Sequence, residues 1–504
     1  SEVWLYAVLL LPRVMRLLYP AVWVEDDFYL QSAFLVSIGM RPYLDFVHPH
    51  MPLLEWLTAG YLNLFGASHV SIEILNESAI YAANIFTYAL ARRATNRRAA
   101  ILAALLFGFC ALLFRYHVYE RECFVAPLVL LAAIFAASGD EPAPRRATLV
   151  AALFILACAV KLTAAIALLV VAAFLAFQAR RIRDAIIIGI GALLGVAALS
   201  AMLFAVYGFE YFFQTYLFHF LKGRLDRWAL LAYPLQILDV FVPLFALGLL
   251  RLALTRRLNS TMRLVVALAI AQLVFYCLVS PTAWGHNYIE VLPYLAIIAG
   301  VGLDAIIAPI ENLIGGHERS LTSWLWFVGG GVFVALSLTW IAPLANENWI
   351  RGSIYGFGFL PRSELRTLAD SLRRASPPGR VIVAPAFLSF EANRPELIRY
   401  PETYGVYREA KARYQRYGFR RARDQLTNQN FFSLIAGTSG HWNASISDAI
   451  AAHTVTAAVA DSPIMTLPLV FLLPDQMADR GFSVISRTEH FAVWKISSGT
   501  TSGQ

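Results

Sequence analysis

The sequence predicts a polytopic α-helical membrane protein of about eleven transmembrane helices, followed by a small C-terminal α/β domain on the non-cytoplasmic side. Three observations predict it. Of 504 residues, 59% are hydrophobic and 15% charged, whereas a soluble globular chain carries about 25% charged residues. Several stretches run for ~18 or more nearly uncharged residues, enough to cross a bilayer as a helix. From about Asn346 the apolar runs give way to mixed, polar sequence. In such a chain the formal net charge of +8 is read by where it falls, and it does not point to nucleic acid.

Apolar spans lie near 3–20, 72–91, 99–114, 123–138, 148–160, 164–178, 185–207, 235–250, 264–280, 289–309 and 321–344. Arg13 and Arg16 interrupt the first, so Ser1–Tyr19 does not read as a signal peptide. Thr148–Gln178 could be one long helix. However, basic residues at Pro144–Arg146 and Arg180–Arg183 flank it at both ends. Positive charge favours the cytoplasm, so the segment should turn back as a hairpin near Lys161. The loops Arg92–Arg98 and Arg251–Arg263, each with four arginines, fall on the same side. Opposite them fall Pro20–Val70, Arg115–Glu122, Gly208–Pro234 and Pro281–Tyr288, which hold nearly all the histidines and paired acids outside the C-terminal region. An odd number of spans sends the C-terminus to that face too. The division expected is a transmembrane catalytic domain over 1–345, with a first external loop at 20–71, and a C-terminal domain over 346–504.

The four cysteines, Cys110, Cys123, Cys158 and Cys277, sit in or beside apolar runs. They read as small buried hydrophobes and show neither metal-ligand spacing nor a disulfide framework. In the C-terminal region, Val381–Pro385, Val455–Asp461, Phe482–Arg487 and Ala492–Ile496 read as strands. Ser363–Ala375 and Ser447–His453 read as helices, each with a serine able to cap its N-terminus. Tyr407–Gln425 alternates basic and aromatic residues, as expected of a solvated or headgroup-facing helix, or of one that touches an acidic acceptor glycan.

Three polar constellations carry the chemistry. Glu25, Asp26 and Asp27 follow the first apolar segment. An acid there could act as a general base on a hydroxyl or bind a divalent cation (Mg, Mn or Ca) through oxygen ligands. The segments after it, Asp27–Gly39 and Met51–Gly66, read as amphipathic interfacial helices. The second constellation is Tyr119–Glu122, where Glu120 and Glu122 flank Arg121. As an ion pair these residues would only fix the loop. As a site they would join Asp26 and Asp27 as candidate metal or substrate ligands. The third is Ser280–Leu295, with His286 just before a span that opens with Tyr288 and Glu290. His286 could hold a phosphate oxygen, and Lys161 is the other candidate cation. His48 and His50 join the substrate-binding set. Together these parts suit sugar transfer from a polyprenyl phosphate. A carboxylate takes the acceptor's proton, cations hold the leaving phosphate, and positioned charges act in a water-poor site.

The stretch "EDDFYLQSAFLVSIGMRPYLDFVHPHMPLLEWLTAGYLNLFG" resembles the first external loop of the GT-C superfamily of membrane glycosyltransferases. The branch is that of the protein O-mannosyltransferases, the lipid A aminoarabinose transferase and the bacterial RgtA-to-F-like proteins. Tyr29, Ala33, Gly39, Pro42, Tyr43, Asp45, Phe46, Pro52, Leu53 and Leu64–Gly66 carry the match, with His50 where many members have proline or lysine. "YERECFVAPLVL" is similar to the family's second acidic loop and "GHNYIEVLPYLAIIAG" to its late helix. The resemblance implies an inverting transferase with a non-cytoplasmic active site in a bacterial inner or plasma membrane. Its donor would be a polyprenyl-phosphate sugar and its acceptor a glycan, lipid or protein hydroxyl. The base would be drawn from Asp26, Asp27 and Glu25 in that order, with Asp45 structural. His286, Lys161 and Arg121 would hold the donor phosphate. The residues alone also admit a transporter or flippase of lipid-linked sugars, or a non-catalytic envelope scaffold. A transporter should show internal repeats and charges near the midplane, and neither is evident in the sequence.

Overall fold

The structure, a computed structural model, describes residues 3–18, 21–23, 28–113, 119–139, 143–178, 180–224, 242–255, 258–282, 285–314, 359–397, 401–430, 433–434, 448–449, 452, 454–461, 478, 481–488 and 491–496. The chain divides into two compact units, each gathered from separate stretches. One comprises Ser1–Leu18, Ile74–Val206 and Leu225–Ala342; the other comprises Tyr19–Glu73, Tyr207–Arg224 and Pro343–Gln504.

The first unit is helical. It contains α1 (Val3–Leu18), most of α4 (His69–Ala94), α5 (Arg97–Leu113), α6 (Arg121–Ala136), α7 (Pro144–Val160), α8 (Ala164–Ala173) and the greater part of α9 (Ile182–Phe212). It closes with α11 (Val242–Leu254), α12 (Ser260–Val274) and α13 (Leu292–Ile314). These helices follow the apolar spans because the backbone's polar groups are satisfied within each helix. The last predicted span, 321–344, lies outside the described residues. Helix α13 packs on α5 and α11 through small residues. A Cβ on Gly300 would come within 2.7 Å of the Ala99 carbonyl oxygen, and one on Gly248 within 2.1 Å of the Ile298 oxygen.

Among the described residues, two helices are long and apolar enough to cross a membrane, Ile182–Leu221 and Ser260–Val279. Shorter apolar helices occur at Ala164–Gln178, Phe245–Leu254 and Leu292–Ala305. Ile182–Leu221 includes α9, a π-type stretch at Phe213–Leu217 and α10 (Phe218–Leu221), and its regular path breaks at Gly208, with φ 63°. Ile186, Ile190, Leu193 and Leu194 are all exposed. An apolar helix that leaves such a surface uncovered suits a lipid environment better than water.

The second unit begins with β1 (Ala21–Trp23), which pairs antiparallel with β2 (Phe359–Pro361), Val22 facing Leu360. Helices α2 (Phe28–Ser37) and α3 (Leu53–Phe65) follow. The C-terminal portion holds α14 (Arg362–Ala375), α15 (Ala386–Ala392), α16 (Pro401–Leu426) and an antiparallel sheet of β3 (Ala457–Asp461), β5 (Phe491–Ile496) and β4 (Phe482–Arg487), with β5 central. Leu365, Leu368, Leu372, Phe387, Leu388, Val459, Phe491 and Val493 form its core.

Three local expectations are corrected. Helix α2 is not amphipathic: Leu30 through Leu35 are all buried, more than a full turn, because α3 and α15 both pack on it. Val381–Pro385 is not a strand. Ile382 and Val383 make only isolated bridges, to Glu396 and Ala458, before Pro385 leads into α15. Ser363 caps nothing, because α14 starts at Arg362 and Pro361 occupies the cap position without a side-chain bond. The serine expected to cap the other helix, Ser447, lies outside the described residues.

Candidate active site

Two polar clusters stand out, one in each unit. The first forms where α7 ends. Val160 is its last residue, and Lys161 leaves the helix in an extended conformation, φ −154° and ψ 123°. The expected turn near Lys161 corresponds to a break at Lys161 itself, before α8 begins at Ala164. The Lys161 ammonium donates to Glu122 Oε1 and lies 3.7 Å from Glu290 Oε1. Asn287 Nδ2 donates to the same Glu122 oxygen, and Thr163 Oγ1 lies 3.4 Å from Glu290 Oε1. Lys161 also sits 5.9 Å above the Tyr276 ring. All of Glu122, Glu290, Lys161 and Asn287 are buried. Burial of charge on this scale is tolerated only with partners at hand.

Arg121, fully buried, donates from Nη1 to the Val160 carbonyl at 2.7 Å. That carbonyl ends α7, where the helix dipole is negative and a cation is favoured. Two cations and two carboxylates are thus brought together from α6, the α7–α8 break and the 3₁₀ turn Gly285–Glu290. Tyr288 in that turn is buried, with its ring 5.6 Å from that of Tyr276 and its hydroxyl 3.6 Å from Cys277 Sγ. Glu120 takes the position just before α6. His286 lies in the same turn as Glu290, and its side chain lies outside the described residues.

The second cluster follows the acidic triplet in sequence. Glu25, Asp26 and Asp27 themselves lie outside the described residues, between β1 and α2. The loop after α2 turns at Gly39, φ 90°, and again at Tyr43, which holds φ 68° despite its side chain. A residue kept in that region is strained, by about 1–2 kcal/mol, and needs its surroundings to fix it. They do so here. The Tyr43 hydroxyl donates to the His50 carbonyl at 2.6 Å, and the Tyr43 carbonyl accepts from Gln214 Nε2 at 2.9 Å. The Gln214 oxygen accepts from the His48 amide at 2.7 Å. His219 Nε2 donates to the Pro49 carbonyl at 2.6 Å, which assigns the proton to that nitrogen. His48 is buried with Nε2 3.3 Å from Glu55 Oε2, and His50 Nε2 lies 3.2 Å from the Tyr29 hydroxyl. Asp45 grips Arg41 through both carboxylate oxygens, at 3.0 and 3.1 Å. The motif residues from Gly39 to Pro52 therefore form a braced loop.

The expected residues thus divide. Lys161, Glu122 and Arg121 are brought together, with Tyr288 nearby, and His48 and His50 brace the loop. Sequence reasoning assigned no role to Glu290, Asn287, Glu55 or Gln214. A lone acid in an apolar run is a signal that could have found Glu290 and Glu55. Among the described residues, no group of three or more His, Cys, Asp or Glu side chains is arranged to hold a metal ion.

The C-terminal portion of the second unit is tied to the start of α4. His69 Nδ1 lies 2.8 Å from Glu391 Oε2, and Arg362 Nη2 donates to Glu73 at 2.5 Å. Burial alone would push the Glu391 carboxyl up, but its bonds to His69 outweigh that and hold it below the ordinary value of 4.5.

Comparisons with known proteins agree with this architecture. Residues 47–204 match the family model of the dolichyl-phosphate-mannose-protein mannosyltransferases. No curated protein sequence matches. Among solved structures, ArnT from Cupriavidus metallidurans bound to undecaprenyl phosphate superposes with a TM-score of 0.63 at 15% identity, covering 100% of this chain and 99% of that one. The oligosaccharyltransferase AglB from Archaeoglobus fulgidus, in complex with an inhibitory peptide and a dolichol-phosphate, gives 0.50 at 12% identity, covering 91% and 69%. The mycobacterial arabinofuranosyltransferase AftD gives 0.52 at 15% identity, covering 98% of this chain and 41% of its own. Aligned along 100% of its length, the chain has an ArnT-like GT-C fold.

Proposed function

We propose that this protein is an inverting glycosyltransferase. It moves a sugar from a polyprenyl-phosphate donor to an acceptor hydroxyl at the non-cytoplasmic face of a bacterial inner or plasma membrane. The observation that carries the reading is the buried Lys161–Glu122–Glu290 cluster, in a chain that shares its fold end to end with a structure bound to undecaprenyl phosphate. Water-poor sites that hold paired charges are where positioned electrostatics stabilise a leaving phosphate.

In the proposed reaction, Asp26 takes the acceptor's proton, with Asp27 and then Glu25 as the next candidates for the base. The acceptor oxygen forms its bond to the anomeric carbon as the bond to the phosphate oxygen breaks. The transition state has oxocarbenium character, like that of glycoside hydrolysis, and the configuration inverts. The polyprenyl phosphate leaves with the electron pair, and its charge is met by Lys161, Arg121 and His286. Lys161 is already matched by two carboxylates, so a phosphate must share it with them. Glu122 and Glu290 then govern how tightly the leaving group is held.

The test is release of free polyprenyl phosphate from a panel of polyprenyl-phosphate sugars by the purified, full-length protein, with a short glycan as acceptor. Wild type is run beside Asp26→Asn and Asp27→Asn, with and without chelator. Loss of release in one folded variant identifies the base, while chelator sensitivity assigns that acid to a divalent cation. Activity retained in both variants removes the first loop from the chemistry. Movement of intact lipid-linked sugar across proteoliposomes, without release, would replace transfer by transport.

A further inference from the structure

Helix α16 carries a charge density that the proposed reaction does not use. Tyr407–Gln425 contains seven basic residues and two acidic ones. Lys411 is engaged by Glu210 at 2.5 Å and Arg413 by Glu409 at 2.6 Å. Arg416, Arg420, Arg421 and Arg423 are exposed. The helix breaks among them at Gly418, with φ 73° and ψ 171°. At that break the exposed Tyr417 ring has two guanidinium groups close to it, Arg416 at 5.1 Å and Arg421 at 5.4 Å. A guanidinium group presents its N–H donors in a fork that matches phosphate oxygens.

The ground beside this patch is apolar. Phe419 packs edge-on to Phe220 with ring centroids 6.3 Å apart, and Tyr414 stacks on Phe209 at 5.8 Å. Phe209, Phe212 and Phe220 are 43%, 38% and 56% exposed. They follow the break at Gly208 in the apolar stretch Ile182–Leu221. A row of arginines and a tyrosine set against exposed phenylalanines is the pattern of the bilayer interface. There the rings enter the acyl boundary and the cations stay at phosphate level. An acidic glycan could answer the arginines, but it offers nothing apolar to the three phenylalanines.

We propose that Arg416, Arg420, Arg421 and Arg423, with Tyr417, form a docking surface for the headgroups of anionic phospholipids, flanked by Phe209, Phe212 and Phe220. The surface holds α16 against the membrane independently of sugar transfer. A basic residue near an anionic membrane strengthens association about fivefold, corresponding to ~1 kcal/mol, so four together make a strong and salt-sensitive contact.

The test reconstitutes the full-length protein in nanodiscs of pure phosphatidylcholine or of phosphatidylcholine with one third phosphatidylglycerol, and follows amide hydrogen exchange. No sugar donor is present, so the outcome is independent of the transferase reading. Exchange in 411–424 is expected to slow at least about tenfold in the anionic discs, following the membrane charge contribution per arginine. High salt should reverse this, as should the combined variant Arg416→Gln, Arg420→Gln, Arg421→Gln and Arg423→Gln. Unchanged exchange in β3–β5 shows that the variant is folded, and the salt arm gives the same answer without any substitution. Equal exchange in the two disc types overturns the proposal. Protection produced in phosphatidylcholine discs by soluble polygalacturonate, and not by phosphatidylglycerol, also overturns it and assigns the surface to an acidic glycan.

Discussion

Replacing Lys161 with methionine tests the buried cluster most directly. Methionine keeps much of the stem's volume and removes the ammonium. Lys161 Nζ lies 3.7 Å from Glu290 Oε1 and closer still to Glu122, with side chains no more than 9% exposed. At an effective dielectric constant of about 20, a pair at this separation interacts by ~4 kcal/mol. Removing one member of a buried pair costs about 3–5 kcal/mol, because the remaining charge is stranded. Lys161→Met should therefore destabilise the protein by ~3–5 kcal/mol, measured by equilibrium unfolding in mixed detergent and dodecyl sulfate micelles. The cost should fall when Glu290→Gln is added, since a neutral amide no longer needs the ammonium. A coupling energy of about 1–3 kcal/mol is expected in this double-mutant cycle. If Lys161→Met costs less than ~1 kcal/mol, or the two changes add within ~0.5 kcal/mol, the three side chains do not act as one charge cluster and the proposed sharing with phosphate loses its basis.

Three further outcomes are expected. Asp26→Asn should lower polyprenyl phosphate release by roughly 10²–10⁴-fold, the range for loss of a general base, and single-turnover kinetics separates this from weaker donor binding. Glu391 has a depressed carboxyl, so its stabilisation is complete above the ordinary value of 4.5 and is lost as pH falls through the lower folded value. Thermal unfolding of wild type should therefore drop more steeply below about pH 4.5 than that of Glu391→Gln, and identical profiles would remove the His69 contact from the stability of the C-terminal region. Gly300→Ala would drive a methyl to 2.7 Å from the Ala99 oxygen and 2.9 Å from the Ala103 nitrogen, both backbone atoms. A loss of about 1–3 kcal/mol is expected from such overpacking, read as a lower midpoint in the same micelle titration.

The helical unit was legible because hydropathy and charge placement act locally. Spans 164–178 and 264–280 appear almost unchanged as Ala164–Gln178 and Ser260–Val279, and the turn expected near Lys161 coincides with a helix break at that residue. What Lys161 touches was not legible. Glu290 approaches Thr163 across 127 positions and Asn287 reaches Glu122 across 165, and no local period records such pairings. The misreading of α2 has a similar origin. Gln31 and Ser32 look like a polar face, yet both are buried, and Gln31 donates to Glu396, 365 residues away. Strand β1 is only three residues long, too short for any alternation to betray it. Glu55 was visible as an acid within an apolar run, but its histidine neighbour depends on the turn at Tyr43, whose unusual φ no composition rule signals.

The pairing of β1 with β2 has a consequence for biogenesis. Trp23 is joined to Phe359, and Ala21 to Pro361. The strand that leads into the acidic triplet therefore waits for a partner more than 330 residues downstream. At about 5–20 residues per second, the ribosome spends tens of seconds making what lies between. Throughout that interval the helices of the first unit can insert and pack while the strand before the triplet stays unpaired. A nascent chain, or one truncated before residue 359, would lack the backbone clamp that precedes its acids. The backbone ahead of the triplet is thus completed only when the late strand arrives.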